Sequence, residues 1–175
     1  MPDYKRIFLD GYSYFITVVT HQRNPILIEN IELLRESFRD SKKRYDYTID
    51  GVVVLPEHFH IIITPKSSQE YPYIIKTIKQ YFSKHCDEKY YEHLYQSQSR
   101  RAKGYKPIWQ KRFFEHTIRD EKDFRLRLDY IHFNPVKHHQ AKRARDWEYS
   151  SFHRFVNNGY YDNDWGDFSE DIDLE

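Results

Sequence analysis

The chain predicts an α+β fold, a ferredoxin-like or RNA-recognition-like antiparallel sheet packed with helices. Three observations predict it. Strand-type and helix-type patterning follow the order strand, helix, strand pair, helix, strand, helix. The run VVVLPEHFHIII reads as two strands joined by a short turn, which calls for antiparallel pairing. Three other segments repeat apolar residues at helical spacing.

Residues 12–20 (YSYFITVVT) are rich in aromatic and β-branched side chains and read as the first strand. Asn30 stands where an N-cap would, ahead of a helix over 31–45 with Ile31, Leu34 and Phe38 on one face. Residues 47–55 and 58–64 form the strand pair, with the turn at Pro56 and Glu57. Pro72 suits the first turn of a second helix through about Ser83. Its stripe is Ile74, Ile78 and Phe82, with Lys76 and Lys79 off that stripe. Residues 86–107 include QSQSRRAKGYKP, a polar, basic stretch read as loop. Residues 109–118 (WQKRFFEHTI) read as the last strand. A third helix begins at Asp120 and ends near Pro135, with Phe124, Leu128 and Ile131 on its buried face.

At 175 residues the chain suits one domain with a sizeable core. Hydrophobic residues make up 39% and aromatics 18%, too apolar a composition for a disordered chain. No apolar run approaches the roughly 20 residues that span a bilayer, and MPDYKRIFLDGYSYF lacks a secretory h-region and cleavage site. The single Cys86 excludes an internal disulfide and a multi-Cys zinc cluster. A cytoplasmic protein with no membrane partner is expected. Only five Gly are present, with no Walker or dinucleotide loop and no nucleophile elbow. That disfavours ATP-driven, nicotinamide and serine-hydrolase chemistry.

The net charge of +1 hides an asymmetry. Residues 161–175 carry seven acids and no Lys or Arg, so residues 1–160 carry +8. The organisation expected is one domain over 1–160 and an acidic tail over 161–175. The basic body suits a polyanionic partner. The tail reads either as a solubilising end or as a segment that folds back on a basic groove and competes with the ligand.

Three constellations could carry chemistry. His58 and His60 flank Phe59, so on a strand their side chains share a face and make half of a divalent-metal site. The same pair also fits two hydrogen-bonded sheet histidines with no ligand. A closed zinc site would want about four protein ligands, so an open site shared with substrate fits better. Tyr130 and Asn134, four apart, share one helical face, and Arg127 neighbours Tyr130. They could supply a nucleophile and a third ligand, or be a packed phenol and a helix terminator before Pro135. Lys76, Lys79, Arg100, Arg101, Lys103, Lys106, Lys111 and Arg112 are interleaved with Tyr95, Tyr105, Trp109 and Phe113. Cations track phosphates and aromatic faces stack bases, although an ordinary solvated surface has the same composition.

Four segments in order, VVLPEHFHIII, IWQKRFFEHTIRDEKDF, LDYIHFNPVKH and DWEYSSFHRF, resemble the REP-associated tyrosine transposases, within the wider class of single-tyrosine His–hydrophobic–His transposases. The resemblance runs from Tyr12 to about Phe155. It implies a ferredoxin-like sheet bearing the His pair, with the nucleophilic Tyr on a helix packed nearby. His58 and His60 match the metal ligands, Tyr130 the nucleophile, and Asn134 the third ligand. The implied activity is cleavage and rejoining of single-stranded DNA at palindromic hairpins, with Mg²⁺ or Mn²⁺, through a 5′-phosphotyrosine. A non-catalytic hairpin-binding derivative is the alternative. The DNA contacts expected are Lys76, Lys79, Arg100, Arg101, Lys103, Lys111, Arg112, Arg127 and Lys137. A monomer is expected, with a dimer as the alternative. Residues 86–107 look longer than the family's usual connection, and His139 stands where the motif NPVKHG has Gly.

Overall fold

The computed structural model describes residues 11–167. Its elements are β1 (Tyr14–Val19), α1 (Ile31–Lys42), β2 (Tyr47–Val54), β3 (His58–Pro65), α2 (Tyr71–His85), α3 (Gln98–Ala102), β4 (Phe114–Thr117), α4 (Glu121–Lys137) and α5 (Phe152–Asn157). The four strands form one sheet in the order β2-β3-β1-β4, with every pair antiparallel. This is the α+β, ferredoxin-like sandwich that the sequence predicts. No helix of the described residues is long and apolar enough to cross a membrane.

The two-residue period of the strands sorts side chains to two faces. Tyr14, Ile16, Val18, Phe59, Ile61 and Ile63 join Leu34 of α1 and Ile74, Ile78 and Phe82 of α2 in the larger core. Phe15, Val53 and Ile62 join Leu128 and Ile131 of α4 and Phe152 of α5 in a second core on the other face. His58 and His60 alternate with Phe59 and so lie on the α4 face. Helix α4 approaches the sheet closely at Gly51, beside a register shift in β2. A Cβ at Gly51 would lie 2.7 Å from Leu128 Cδ1.

Several expectations need correction. Asn30 occupies the N-cap position of α1, but its amide donates to Ile26 O (2.9 Å) rather than capping the helix. The last strand spans four residues rather than ten. Trp109 pairs with Thr20 only as an isolated bridge. Gln110 N still donates to Val19 O (2.9 Å), but its carbonyl accepts from Lys79 Nζ (2.8 Å), and the backbone leaves the ladder until Phe114. Within 86–107 the structure has a 3-10 turn at Glu88–Tyr90 and α3, each started by a side chain: Asp87 accepts from Lys89 N and Ser97 from Arg100 N.

Helix α4 passes through Pro135 and ends at Lys137, close to the expected end. It ends in a Schellman motif: Gln140 N donates to Pro135 O (2.8 Å) and His139 N to Val136 O (3.0 Å). His139 adopts φ 57, the left-handed conformation that glycine takes most readily.

The start of the acidic segment is packed. Tyr161 is buried, Trp165 lies against Phe133, Phe152 and Tyr161, and Asp167 pairs with Arg145 at 2.9 Å. Residues 168–175, the rest of the expected tail, lie outside the described residues.

Candidate active site

His58 and His60 are both buried, with ring centroids 4.8 Å apart. Each ring is held through Nδ1. His58 Nδ1 lies 2.9 Å from Glu57 Oε1. A carboxylate only accepts, so His58 carries a proton on Nδ1, and its neutral form presents a lone pair at Nε2. That Nε2 faces Asn134 Oδ1 at 3.3 Å. His60 Nδ1 lies 2.7 Å from Thr17 Oγ1, and its buried Nε2 has no hydrogen-bond partner. Burial, followed by repulsion from His58 and His138 whenever they are protonated and from Lys137, pushes the His60 pKa well below the usual imidazole range, so this ring is neutral.

The backbone explains why these atoms converge. The Pro56–Glu57 turn is pinned from outside: Thr20 N and Thr20 Oγ1 both donate to Glu57 O (2.9 Å each), and Leu27 N donates to Pro56 O (2.9 Å). Thr17 lies directly opposite His60 in the β1–β3 register. Asn134 is brought in by α4, whose Leu128 and Ile131 seat it on the sheet beside Gly51.

A buried polar atom without a hydrogen-bond partner is uncommon in folded proteins. Here His60 Nε2 is unpartnered, and the lone pair of neutral His58 faces an amide oxygen, another acceptor. Two imidazole nitrogens and an amide oxygen form an N/O donor set that fits a divalent cation. No group of three His, Cys, Asp or Glu side chains among the described residues could hold a metal; the third donor in this arrangement is the amide of Asn134.

Tyr130 lies beside this set. Its ring centroid is 5.2 Å from that of His60 and 5.8 Å from Phe15, in edge geometry with both. Lys137 Nζ sits 4.8 Å from the Tyr130 ring centroid. Arg127 lies over Phe15 at 5.5 Å, with its Nε 3.5 Å from Asp123 Oδ1. The structure therefore brings His58, His60, Tyr130, Asn134, Arg127 and Lys137 together.

The remaining predicted cations lie elsewhere. Lys76, Lys79, Arg100, Lys103 and Lys111 line a groove of about 890 Å³ between α2, α3 and the 103–113 segment, with Tyr73, Tyr105 and Trp109 also on its walls. Arg101 and Arg112 are exposed and do not line it. Residues 86–107 thus build one wall of the groove. Lys106 Nζ ties that wall to Ser83 O (2.8 Å) and Trp109 Nε1 ties the floor to Lys79 O (3.2 Å). Lys79 is half-buried, and burial followed by Arg100 pushes its pKa down to about 8. Phe113 lies on the groove side and Phe114 meets Phe15 on the tyrosine side, so this segment links the two.

Glu57 and Thr17 escape the sequence reading. Glu57 reads as a turn residue although it adjoins His58, and a carboxylate next to a candidate ligand was the available signal. Thr17 carries no such signal, because its role depends on strand register.

The family model for IS200-like transposases matches residues 9–134, and the chain belongs to that family. A REP-associated tyrosine transposase of Escherichia coli K12 is 36% identical over 173 residues, covering 97% of this chain and 94% of the relative. A protein of Haemophilus influenzae assigned to the same type is also 36% identical, over 168 residues, covering 95% and 94%. A solved structure of a REP-associated tyrosine transposase bound to a REP hairpin matches with TM-score 0.78 and 34% identity, covering 100% of this chain and 94% of that one. Within the family the chain is a transposase of the REP-associated tyrosine type.

Proposed function

We propose that the chain cleaves and rejoins single-stranded DNA at palindromic hairpins, with Tyr130 as nucleophile and a 5′-phosphotyrosine as intermediate. The observation that carries the reading is the Tyr130 ring standing 5.2 Å from His60, next to two converging imidazole nitrogens and the Asn134 amide. The solved relative bound to a REP hairpin supports the substrate class.

His58 Nε2, His60 Nε2 and Asn134 Oδ1 are the atoms that would hold a divalent ion, Mg²⁺ or Mn²⁺. Bound there, it supplies Lewis-acid polarisation of a phosphate oxygen. Tyr130 Oη attacks phosphorus; the Oη–P bond forms as the P–O3′ bond breaks, and the departing oxygen takes a proton to become a 3′-OH. Rejoining reverses the step, with a 3′-OH attacking and the phenol released. No phosphodiester is hydrolysed, so no ATP is needed. Lys137 stabilises negative charge on the phenolic oxygen, and Arg127, steadied by Asp123, faces the phosphate. Lys76, Arg100, Lys103 and Lys111 hold the hairpin backbone in the groove, flanked by Arg101 and Arg112. Tyr130 meets the His pair within one chain, which supports a monomer as the active unit.

A labelled hairpin with a single-stranded flank, run on a denaturing gel, tests the reading. Wild type should give a covalent protein–DNA adduct, and Tyr130→Phe should bind without forming it. Cleavage with no adduct would indicate a water-using phosphodiesterase; binding alone under either metal would indicate a non-catalytic hairpin binder. His58→Ala and His60→Ala should lose metal-dependent cleavage and keep most DNA affinity. Imidazole donors suit Mn²⁺ better than Mg²⁺, which prefers oxygen. Mn²⁺ should therefore support adduct formation at lower concentration.

A further inference from the structure

We propose that Phe114 is a stacking platform for a base flanking the scissile phosphate, at an open corner of the sheet beside the His pair. The inference rests on the strand-transferase reading above.

Strand register places Phe114. Thr17 pairs with His60 on one side and with Phe114 on the other, so His60, Thr17 and Phe114 form one row across the sheet. Directly paired residues share a face, so Phe114 projects to the same side as His60. Two strand spacings put the two backbones about 10 Å apart.

Helix α4 packs on this face but leaves the corner at Thr17 and Phe114 open. Its first turns lie over the end of β4, where Asp123 meets His116 at 2.8 Å. Its middle spans from β1, where Arg127 and Tyr130 meet Phe15, to β2, where Leu128 packs on Gly51. Its last turns reach β3, where Asn134 meets His58. The start of β4 and the far half of β1 are not covered. Thr17 and Val19 are half-buried although Phe15, on the same face, is buried. Phe114 is 58% exposed, with its ring edge-on to Phe15 at 6.3 Å.

An exposed large apolar ring on an edge strand is a liability that proteins normally avoid. Here Phe15 touches both it and Tyr130, with Lys111 and Arg112 just upstream and Arg127 over Phe15. A single strand laid over this corner would have cations for its phosphates and an aromatic face for one base. Base–aromatic stacking tolerates any sequence, because every base has a π-face.

The test uses the full chain carrying Tyr130→Phe, so that no transesterification occurs. The probes are a fluorescent oligothymidylate and an abasic oligomer of the same length. Adding Phe114→Ala should weaken oligothymidylate binding about tenfold. Phe114→Trp should restore it, and the abasic oligomer should bind all variants equally. In parallel, irradiation of a 5-iododeoxyuridine oligomer should crosslink the base to Phe114. Unchanged oligothymidylate affinity, an equal loss for the abasic oligomer, or a crosslink map without Phe114 would overturn the proposal. The adduct assay is independent. A protein that forms adduct with no dependence on Phe114 overturns the platform alone, and one that stacks bases but never forms adduct overturns the transferase reading alone.

Discussion

Two hydrogen bonds decide what the His58–His60 pair can do. Glu57 and Thr17 each occupy an Nδ1, which leaves both Nε2 atoms facing the Asn134 side. Outer partners of this kind fix the tautomer and orientation of ligating imidazoles, and their loss commonly costs 10–100-fold in metal affinity. Glu57→Ala should therefore weaken Mn²⁺ binding by about tenfold or more, measured by calorimetric titration without DNA. Unchanged affinity would reduce Glu57 to a turn residue that faces Arg23 at 3.6 Å. At this scale the sequence is legible wherever the period is local. His-Phe-His on a strand must put both rings on one face, and Tyr130 and Asn134 must share a face of a helix. Thr17 and Phe114 are legible only once β1 is in register with both β3 and β4. No spacing in the chain encodes that register, because it comes from pairing strands about forty and about a hundred residues apart.

At the scale of elements, α4 must sit at one height and one rotation for the site to exist. Gly51 sets the height, since any side chain there would meet fully buried Leu128. Gly51→Ala should destabilise the fold by about 1–3 kcal/mol through overpacking. It should lower adduct formation more than oligonucleotide affinity, because Tyr130 and Asn134 move with the helix. Urea unfolding together with the gel assay separates the two effects, and equal losses would mean that α4 is not displaced. The C-terminus of α4 offers the opposite experiment. A non-glycine residue in the left-handed conformation costs roughly 1–2 kcal/mol, and His139 takes it to complete the Schellman motif. His139→Gly should raise stability by about 1 kcal/mol, less the entropy that glycine adds to the unfolded chain, with a matching rise in the urea midpoint. The stripe of Phe124, Leu128 and Ile131 makes this helix readable from sequence. Its course through Pro135 is not, because a proline normally pushes the preceding residue out of the helical region. Here the burial of Phe133, Asn134 and Pro135 overrides that preference. The last strand is overextended in the sequence reading for a similar reason. WQKRFFEHTI has strand composition throughout, but Lys79 captures the Gln110 carbonyl and draws the backbone off the ladder.

At the scale of the molecule, the sheet divides two cores, and the chain's C-terminal part holds the second one closed. A buried polar relay runs through it. Ser151 Oγ lies 2.7 Å from His132 Nε2, His132 Nδ1 lies 3.2 Å from Tyr161 OH, and Tyr161 OH donates to Asp129 Oδ1 at 2.6 Å. This ties the segment after α5 to the helix that carries Tyr130. A truncation meant to test whether the acidic tail competes with DNA must therefore leave residues up to Asp167 in place. The relay also sets a pH dependence. Burial, followed by the charge of Arg154, lowers the His132 pKa to about 3, whereas an unfolded histidine titrates near ~6.5. Between those values the unfolded chain binds a proton that the folded chain refuses, so stability rises with pH across that window. The contribution is fully present above about pH 6.5 and is lost on acidification at up to about 1.4 kcal/mol per pH unit. His60, also held neutral, adds to the trend with the same sign. Urea midpoints should fall as the pH is taken from about 7 to about 5. His132→Gln, which keeps a donor and an acceptor but cannot titrate, should be less stable at neutral pH and show a shallower slope. A slope identical to wild type would show that His132 is not a source of the acid sensitivity, and that the relay stays closed when its histidine is charged.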